Sequence, residues 1–315
     1  MTATITGVGA ALPKKCVTND AFAHLGLTEK WIISRSGVER RYHLDAEETL
    51  VGLAAIAAQE ALDDSGVLPE DIDMVVVATS TPDRVSPGLA SELAFLIGAE
   101  HCGAIDLNGA CTGFLYALDY AMARIDQGSS ETVLVVGADA MSRLTDPTDR
   151  DTAFLFGDGA GAVIVTASED GTPQYLSFGS AGEGTDFLSV PRGTGKLHMD
   201  GVEVYAAAVD SMSSEIEAAL VACGDTREDI DLAVCHQANI RIVNAVGREL
   251  GLPREKVASY VADFGNTSSA SIPIALWKAQ QDTLLKPGDR VALAAFGAGF
   301  TWGAGILNWK GCANS

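Results

Sequence analysis

One cysteine in the stretch DLNGACTGFLYAL, residues 106–118, stands where a strand ends and an apolar helical run begins. A cysteine at a helix N-terminus meets unpaired N–H groups and the positive end of the helix dipole, and both favour the thiolate. Cys111 is therefore the candidate nucleophile, with a thiol pKa expected below the ordinary value. Two further residues suit it. His236 follows the short apolar run DLAVC and precedes QAN, and Asn266 lies just ahead of small residues in DFGNTSSASIPIAL. A thiolate can take an acyl group as a thioester, and a histidine and an asparagine can donate hydrogen bonds to the carbonyl oxygen of a second thioester, stabilising an enolate there. The glycine-rich stretch FGAGFTWGAG, residues 296–305, offers backbone N–H groups for an oxyanion hole. Taken singly, a histidine beside an apolar strand is usually a core residue and an asparagine after glycine a turn residue. His24, His43, His101 and His198 are read in that bland way; the constellation singles out His236.

What brings distant residues together is an internal repeat. PEDIDMVVVATS at 69–80 matches REDIDLAVCHQA at 227–238, each after an alanine-rich helical segment, with EDID beginning at 70 and again at 228. ETVLVVGA at 131–138 returns as DRVALAAFGAG at 289–299, at nearly the same offset of 158. Short buried strands flanked by helices point to two copies of one α/β unit, residues 1–168 and 169–315, joined near SEDGTPQ at 168–174. SFGSAGEGTDFLSVPRGTGK, which follows, reads as a loop excursion. Shifted by 158, position 111 falls at 269, beside Asn266. Functional residues in α/β folds gather at the carboxyl ends of strands, where Cys111, His236 and Asn266 all stand.

Composition sets the outer bounds. With 315 residues, 47% hydrophobic, 33 glycines and 20% charged, the chain suits a compact α/β protein with a large core. Six scattered cysteines form no C-x-x-C pair or metal spacing, so no disulfide framework, zinc site or other metal is expected. A net charge of −21 argues against nucleic-acid binding, and no apolar run reaches the length of a membrane span. The N-terminal MTATITGVGAALPKK has its charges after the apolar part, the wrong order for a secretory signal, so it reads as a first strand and the chain is expected in the cytoplasm. GVGAAL lacks the third glycine of a dinucleotide fingerprint, which sets aside a nicotinamide enzyme.

Seven motifs in order, WIISRSGVERR (31–41), GACTGF (109–114), DPTDR (146–150), FGDGAGAVIV (156–165), HQANIRI (236–242), GNTSSASIP (265–273) and FGAGFTWG (296–303), give the chain a resemblance to the β-ketoacyl-acyl carrier protein synthase III enzymes of the thiolase superfamily over nearly its whole length. The resemblance implies a five-layered α/β/α/β/α fold, usually as a homodimer. It implies Cys111 as the acylated nucleophile, with His236 and Asn266 assisting decarboxylation of malonyl-acyl carrier protein. The oxyanion hole would use the backbone N–H of Cys111 and one from the 297–299 turn, where Ala298 replaces the usual middle glycine. Coenzyme A thioesters are implied as substrates, with no cofactor: Trp31 and Arg150 would flank the adenine, and Arg35, Asn239 and Arg241 would line the pantetheine tunnel or its mouth. The primer pocket would involve Arg84, Ser86, Arg143 and Phe156.

Two departures stand out. Tyr205-Ala206 replaces a Phe-Lys pair whose lysine helps dock the acidic carrier, leaving Arg241, Arg248 and Lys256 as candidates. Ser86 replaces a phenylalanine that closes the partner subunit's primer pocket, which would admit a longer primer, and Arg84 or Arg143, if turned inward, would pair with a terminal carboxylate. The leading expectation is an acyl-CoA-primed condensing enzyme that starts fatty acid synthesis. The alternatives are a specialised relative using a dicarboxylyl primer such as glutaryl-CoA for biotin synthesis, or one starting a polyketide. A non-condensing acyltransferase to an alcohol and a non-catalytic partner subunit are the other classes, and the joint presence of Cys111, His236 and Asn266 argues against both.

Overall fold

The computed structural model describes residues 2–169, 171–172 and 174–311; Cys312 and two positions of the expected linker lie outside them. The strands are β1 (Thr2–Ala11), β2 (Lys15–Thr18), β3 (Arg40–His43), β4 (Met74–Ala78), β5 (Gly103–Leu107), β6 (Thr132–Ala140), β7 (Asp158–Ser168), β8 (Tyr175–Ser180), β9 (Leu188–Ser189), β10 (His198–Met199), β11 (Leu232–Cys235), β12 (Arg290–Gly297) and β13 (Thr301–Asn308). The helices are α1 (Glu29–Ser36), α2 (Leu50–Ser65), α3 (Leu89–Ile97), α4 (Gly113–Asp126), α5 (Gly201–Cys223), α6 (Ile240–Glu249), the single turn α7 (Val261–Phe264) and α8 (Ser271–Gln281).

Two sheets carry the architecture, in the orders β1-β7-β6-β4-β5 and β11-β12-β13-β8. MVVVA of β4 and LAVC of β11 are buried along their whole length, as β-branched and apolar runs must be when helices cover both faces. Helices α2 and α3 cover the outer face of the first sheet, α5 and α6 that of the second, and α4 and α8 fill the space between the sheets. That is five layers, α/β/α/β/α. The middle layer is the largest core: Phe114, Leu115, Leu118 and Ile125 of α4 and Ile272, Ile274 and Leu276 of α8 pack with strand residues of both sheets. Each such side chain contributes about 1.5–3 kcal/mol through burial. Close approach needs small residues; a Cβ on Gly161 of β7 would lie 2.7 Å from the backbone nitrogen of Ile274 in α8.

The repeat holds in register through the core. β4 and β11 begin 158 residues apart, as do β6 and β12, and α4 and α8. Helices α2 and α5 also end 158 apart, each stopped by a glycine with left-handed backbone, Gly66 (φ 73°) and Gly224 (φ 77°). The copies diverge after β6 and β12. Seventeen residues, 141–157, separate β6 from β7, whereas β12 turns into β13 across 298–300 alone. The expected loop excursion at 177–196 is also partly a strand: β8 runs to Ser180 and pairs with β13. Its remainder, with β9 and β10, folds back toward the site. No helix of the described residues is long and apolar enough to cross a membrane.

Candidate active site

Cys111 lies on a one-turn 3-10 segment, Ala110–Thr112, that joins β5 to α4. Ala110, just before the cysteine, takes φ 48°, a left-handed conformation costly for a residue with a side chain. The repeat places Ser268 opposite, also at φ 52°, opening the segment Ser268–Ala270 before α8. The two turns meet: Cys111 Sγ lies 3.6 Å from Ser268 Oγ. His236 follows β11 directly, its N–H bonded to Ala294 O at 2.7 Å. Gln237 fixes the next step of chain, donating to Cys235 O (2.7 Å) and accepting from Tyr260 N (2.8 Å). Asn266 is clamped by its backbone, donating to Leu155 O and accepting from Gly157 N, both at 2.9 Å. Its side-chain Oδ1 accepts from Ser268 N at 2.9 Å, which leaves Nδ2 as the free end of the amide.

All three residues line one cavity of about 390 Å³. Ala298 lines it too, just beyond β12, beside Gly297. A Cβ on Gly297 would lie 2.9 Å from Cys111 N, so the absence of a side chain there keeps that N–H open. No hydrogen bond engages Cys111 N or Ala298 N among the described residues. Two open backbone donors beside a sulfur are the makings of an oxyanion hole.

The electrostatics correct one expectation. The thiol of Cys111 is not depressed but pushed up to about 12, first by burial and also by the nearby Asp139 carboxyl, against a lowering contact from Ser268. Helix α4 begins only at Gly113, and the enclosing apolar surroundings outweigh its dipole. At rest the sulfur therefore carries its proton. Burial also holds His236 down to about 4, so its imidazole is neutral at pH 7, with Nδ1 buried and unpartnered among the described residues.

Arg35, Asn239 and Arg241 also line the cavity, at its mouth. Arg35 lies over the Trp31 ring at 5.4 Å and Arg241 over Tyr205 at 5.7 Å. Neither arginine is ion-paired among the described residues, which is notable in a chain of net charge −21. Asn239 works through the backbone: its Oδ1 caps α6 at Arg241 N (2.8 Å) and its Nδ2 holds Arg35 O (3.1 Å), so one side chain sets both cations. Trp31 and Arg150 stand outside the cavity lining. The guanidinium stacked over Trp31 belongs to Arg35, and Arg150 is exposed without a polar partner among the described residues.

The far wall is apolar: Met141, Leu144, Leu155 and Phe156 from the 141–157 excursion, and Leu188, Leu197 and Met199 from the other fold-back. Phe156 lines this cavity, whereas Arg84, Ser86 and Arg143 do not; Ser86 and Arg84 are expected at the partner subunit's pocket. Arg84 pairs with Glu92 on the surface, and Arg143 pairs with Asp83 at 2.6 Å and donates to Thr81 O at 2.8 Å. Both cations are turned from this chain's cavity and matched with carboxylates. Ser86 is exposed. Sequence reasoning missed Ser268, Gln237 and Asp139. Only the repeat could have flagged Ser268, as the counterpart of Ala110.

A thiol between two halves of a duplicated five-layered fold, with histidine, asparagine and open N–H groups around it, defines an acyl-transferring condensing enzyme of the thiolase fold. Comparison with known proteins gives the family. Residues 105–184 match the model for 3-oxoacyl-[acyl-carrier-protein (ACP)] synthase III, and residues 220–309 match its C-terminal model. The chain is 43% identical over 318 residues to a beta-ketoacyl-[acyl-carrier-protein] synthase III of Rhizobium meliloti, covering 97% of this chain and 98% of that protein. It superposes on the 3-oxoacyl-[acyl-carrier-protein] synthase III of Aquifex aeolicus with TM-score 0.94 at 38% identity, over 98% and 100% of the two chains. The priming β-ketosynthase from the R1128 polyketide pathway matches with TM-score 0.93 at 33% identity, over 98% and 97%. The chain belongs to the 3-oxoacyl-[acyl-carrier-protein] synthase III family.

Proposed function

We propose that this enzyme condenses an uncharged acyl-CoA primer with malonyl-acyl carrier protein, through an acyl-Cys111 intermediate, to start fatty acid synthesis. The observation that carries the reading is the convergence of Cys111, His236, Asn266 and the open N–H groups of Cys111 and Ala298 on one cavity. Cys111 Sγ attacks the primer thioester while the two N–H groups hold the developing oxyanion; the C–S bond to coenzyme A breaks, and the departing thiolate takes up the cysteine's proton. Malonyl thioester then enters. Loss of carbon dioxide leaves its electron pair as an enolate, whose oxygen accepts hydrogen bonds from neutral His236 and from Asn266 Nδ2. The enolate carbon attacks the acyl-cysteine, and the released Cys111 thiolate takes a proton from solvent. The neutral state of His236 suits this role, because a donor is needed and no proton must be removed.

The apolar far wall chooses among primers. Arg84 and Arg143 are each matched with a carboxylate of the protein, Glu92 and Asp83, so neither charge is left unpaired for a dicarboxylyl primer in this chain's pocket or its partner's. Arg35 and Arg241 at the mouth suit the phosphates of coenzyme A and of a carrier's prosthetic arm. A homodimer is supported by β5, an edge strand with Gly103, Ala104 and Ile105 exposed, and by exposed Phe95 and Leu96 on the helix beside it. Such an apolar edge is a template for a second copy.

Intact-protein mass spectrometry tests the reading. Acetyl-, isobutyryl- and octanoyl-CoA are offered beside glutaryl-CoA, with Cys111→Ala as control. Acyl adducts from the uncharged primers, absent from the control, followed by carbon dioxide release from malonyl carrier protein, are the expected result. A preference for glutaryl-CoA would overturn the primer assignment, and no adduct from any primer would overturn the nucleophile.

A further inference from the structure

Asp139, at the end of β6, is fully buried and has no ion pair among the described residues. Its Oδ1 accepts from Ser80 N (2.8 Å), Thr81 Oγ1 (2.9 Å) and Thr79 Oγ1 (3.4 Å). Its Oδ2 accepts from Ser269 N (3.0 Å) and Ser269 Oγ (2.7 Å). Each oxygen thus serves a backbone N–H that cannot turn away: Ser80 from the strand end after β4, and Ser269 from the turn before α8. The carboxylate ties the two halves together directly under the site.

The repeat gives this a meaning. Residue 139 is the counterpart of 297, as 111 is of 269. In the working turn, Cys111 N–H is open because Gly297 has no side chain. In the matching turn, Ser269 N–H is occupied by the Asp139 carboxylate. The second half therefore carries a resident anion where the first half leaves room for the reacting oxyanion. That anion pins the residue after Ser268, whose left-handed backbone needs holding. Ser268 N–H in turn fixes Asn266 Oδ1.

Resting on the condensation reading above, we propose that Asp139 is a positioning residue for decarboxylation: through Ser269 and Ser268 it fixes which end of the Asn266 amide faces the enolate. With Ser268 displaced, the amide can rotate and present oxygen to oxygen, which repels the enolate instead of holding it. Cys111 acylation does not use Asn266 and is affected far less.

Asp139→Asn is the direct test, because an amide offers an acceptor to one of the two backbone N–H groups and a clashing NH2 to the other. Acylation of Cys111 by acetyl-CoA is read by mass, and carbon dioxide release from malonyl carrier protein by rate. Expected are acylation within about threefold of wild type and decarboxylation reduced about a hundredfold, the scale of losing one oriented donor. In an Asn266→Ala background the same substitution adds less than about threefold, since the group it acts through is gone. Equal losses in both steps, an undiminished decarboxylation, or a full additional loss on Asn266→Ala would each overturn the proposal. Thr81→Val supplies a check that survives if D139N does not fold. It removes the hydroxyl that donates to Asp139 Oδ1 at 2.9 Å and so loosens the carboxylate; decarboxylation is expected to fall about tenfold with acylation within about threefold, and equal losses in both steps, or undiminished decarboxylation, would overturn the proposal. A wild-type enzyme that forms no acyl-cysteine overturns the condensation reading itself, a result distinguishable before any variant is compared.

Discussion

Cys111 Sγ and Ser268 Oγ meet at 3.6 Å across the pseudo-symmetric halves, and Ser268 is the repeat counterpart of Ala110, the residue just before the cysteine. The site is thus built where two copies of one turn face each other, each with its first residue held in a left-handed conformation. One copy presents the proposed nucleophile. The other has become support, touching the sulfur and orienting the asparagine amide.

The buried sulfur predicts a pH profile. With the thiol pushed up to about 12, iodoacetamide modification of Cys111 is expected to rise about tenfold per pH unit from pH 7 to 9 without a plateau, tracking the thiolate fraction. Ser268→Ala removes the larger of the two contacts that lower the thiol, the other being the cysteine's own backbone N–H, and is expected to slow modification at each pH. Intact mass, with Cys111→Ala to exclude the other cysteines, reads both. A plateau near pH 7 would mean that the thiolate exists at rest and that burial does not govern it.

Gly297→Ala tests the oxyanion hole. The new Cβ would crowd Cys111 N at 2.9 Å and Cys111 Cβ at 3.3 Å, pressing on the donor and on the nucleophile's own carbon. The expected outcome is a loss of about 10²–10³ in the rate of Cys111 acylation, the scale seen when an oxyanion donor is removed. Stopped-flow release of coenzyme A measures it. Near-wild-type acylation would show that Cys111 N–H takes no part.

The fold and the meeting of Cys111, His236 and Asn266 in one cavity were legible because duplication and strand-end placement leave marks in sequence. The EDID repeat set the 158 offset, and that offset carries β4 onto β11, β6 onto β12 and α4 onto α8. What escaped depends on distances that spacing does not encode. Whether Cys111 feels its helix or its burial depends on how tightly the middle layer closes, and the closure wins. Arg84 and Arg143 could have faced in or out; Glu92 and Asp83, nearby in space, drew them outward. Asp139 gave no signal at all, since a single acidic residue at a strand end usually faces water.

At the mouth, Arg35 and Arg241 have no competing carboxylate among the described residues, so their charges are free for phosphate. Replacing either with alanine is expected to raise KM for acyl-CoA about tenfold while leaving kcat within about twofold, because the lost contacts are remote from the reacting carbonyl and are made equally before and during transfer. Arg84→Ala and Arg143→Ala are expected to leave primer preference unchanged. A fall in kcat on Arg35→Ala would mean that the mouth also orients the reacting thioester.

His236 makes folding stability depend on pH. Its imidazole is held near 4 in the native state against an ordinary value of 6.5, with burial as the cause. Above pH 6.5 neither state binds the proton and the group contributes no pH dependence. Below pH 6.5 the unfolded chain gains a proton that the native chain refuses, so unfolding is favoured progressively until about pH 4. The full loss is about 3 kcal/mol, of which about 2 kcal/mol has gone by pH 5. Urea unfolding of wild type and His236→Asn at pH 7 and pH 5 measures it, since asparagine does not titrate. The drop in stability between the two pH values should be smaller in the variant by about 2 kcal/mol. Equal drops would show that the native imidazole titrates as it does in the unfolded chain, so that burial does not hold it down.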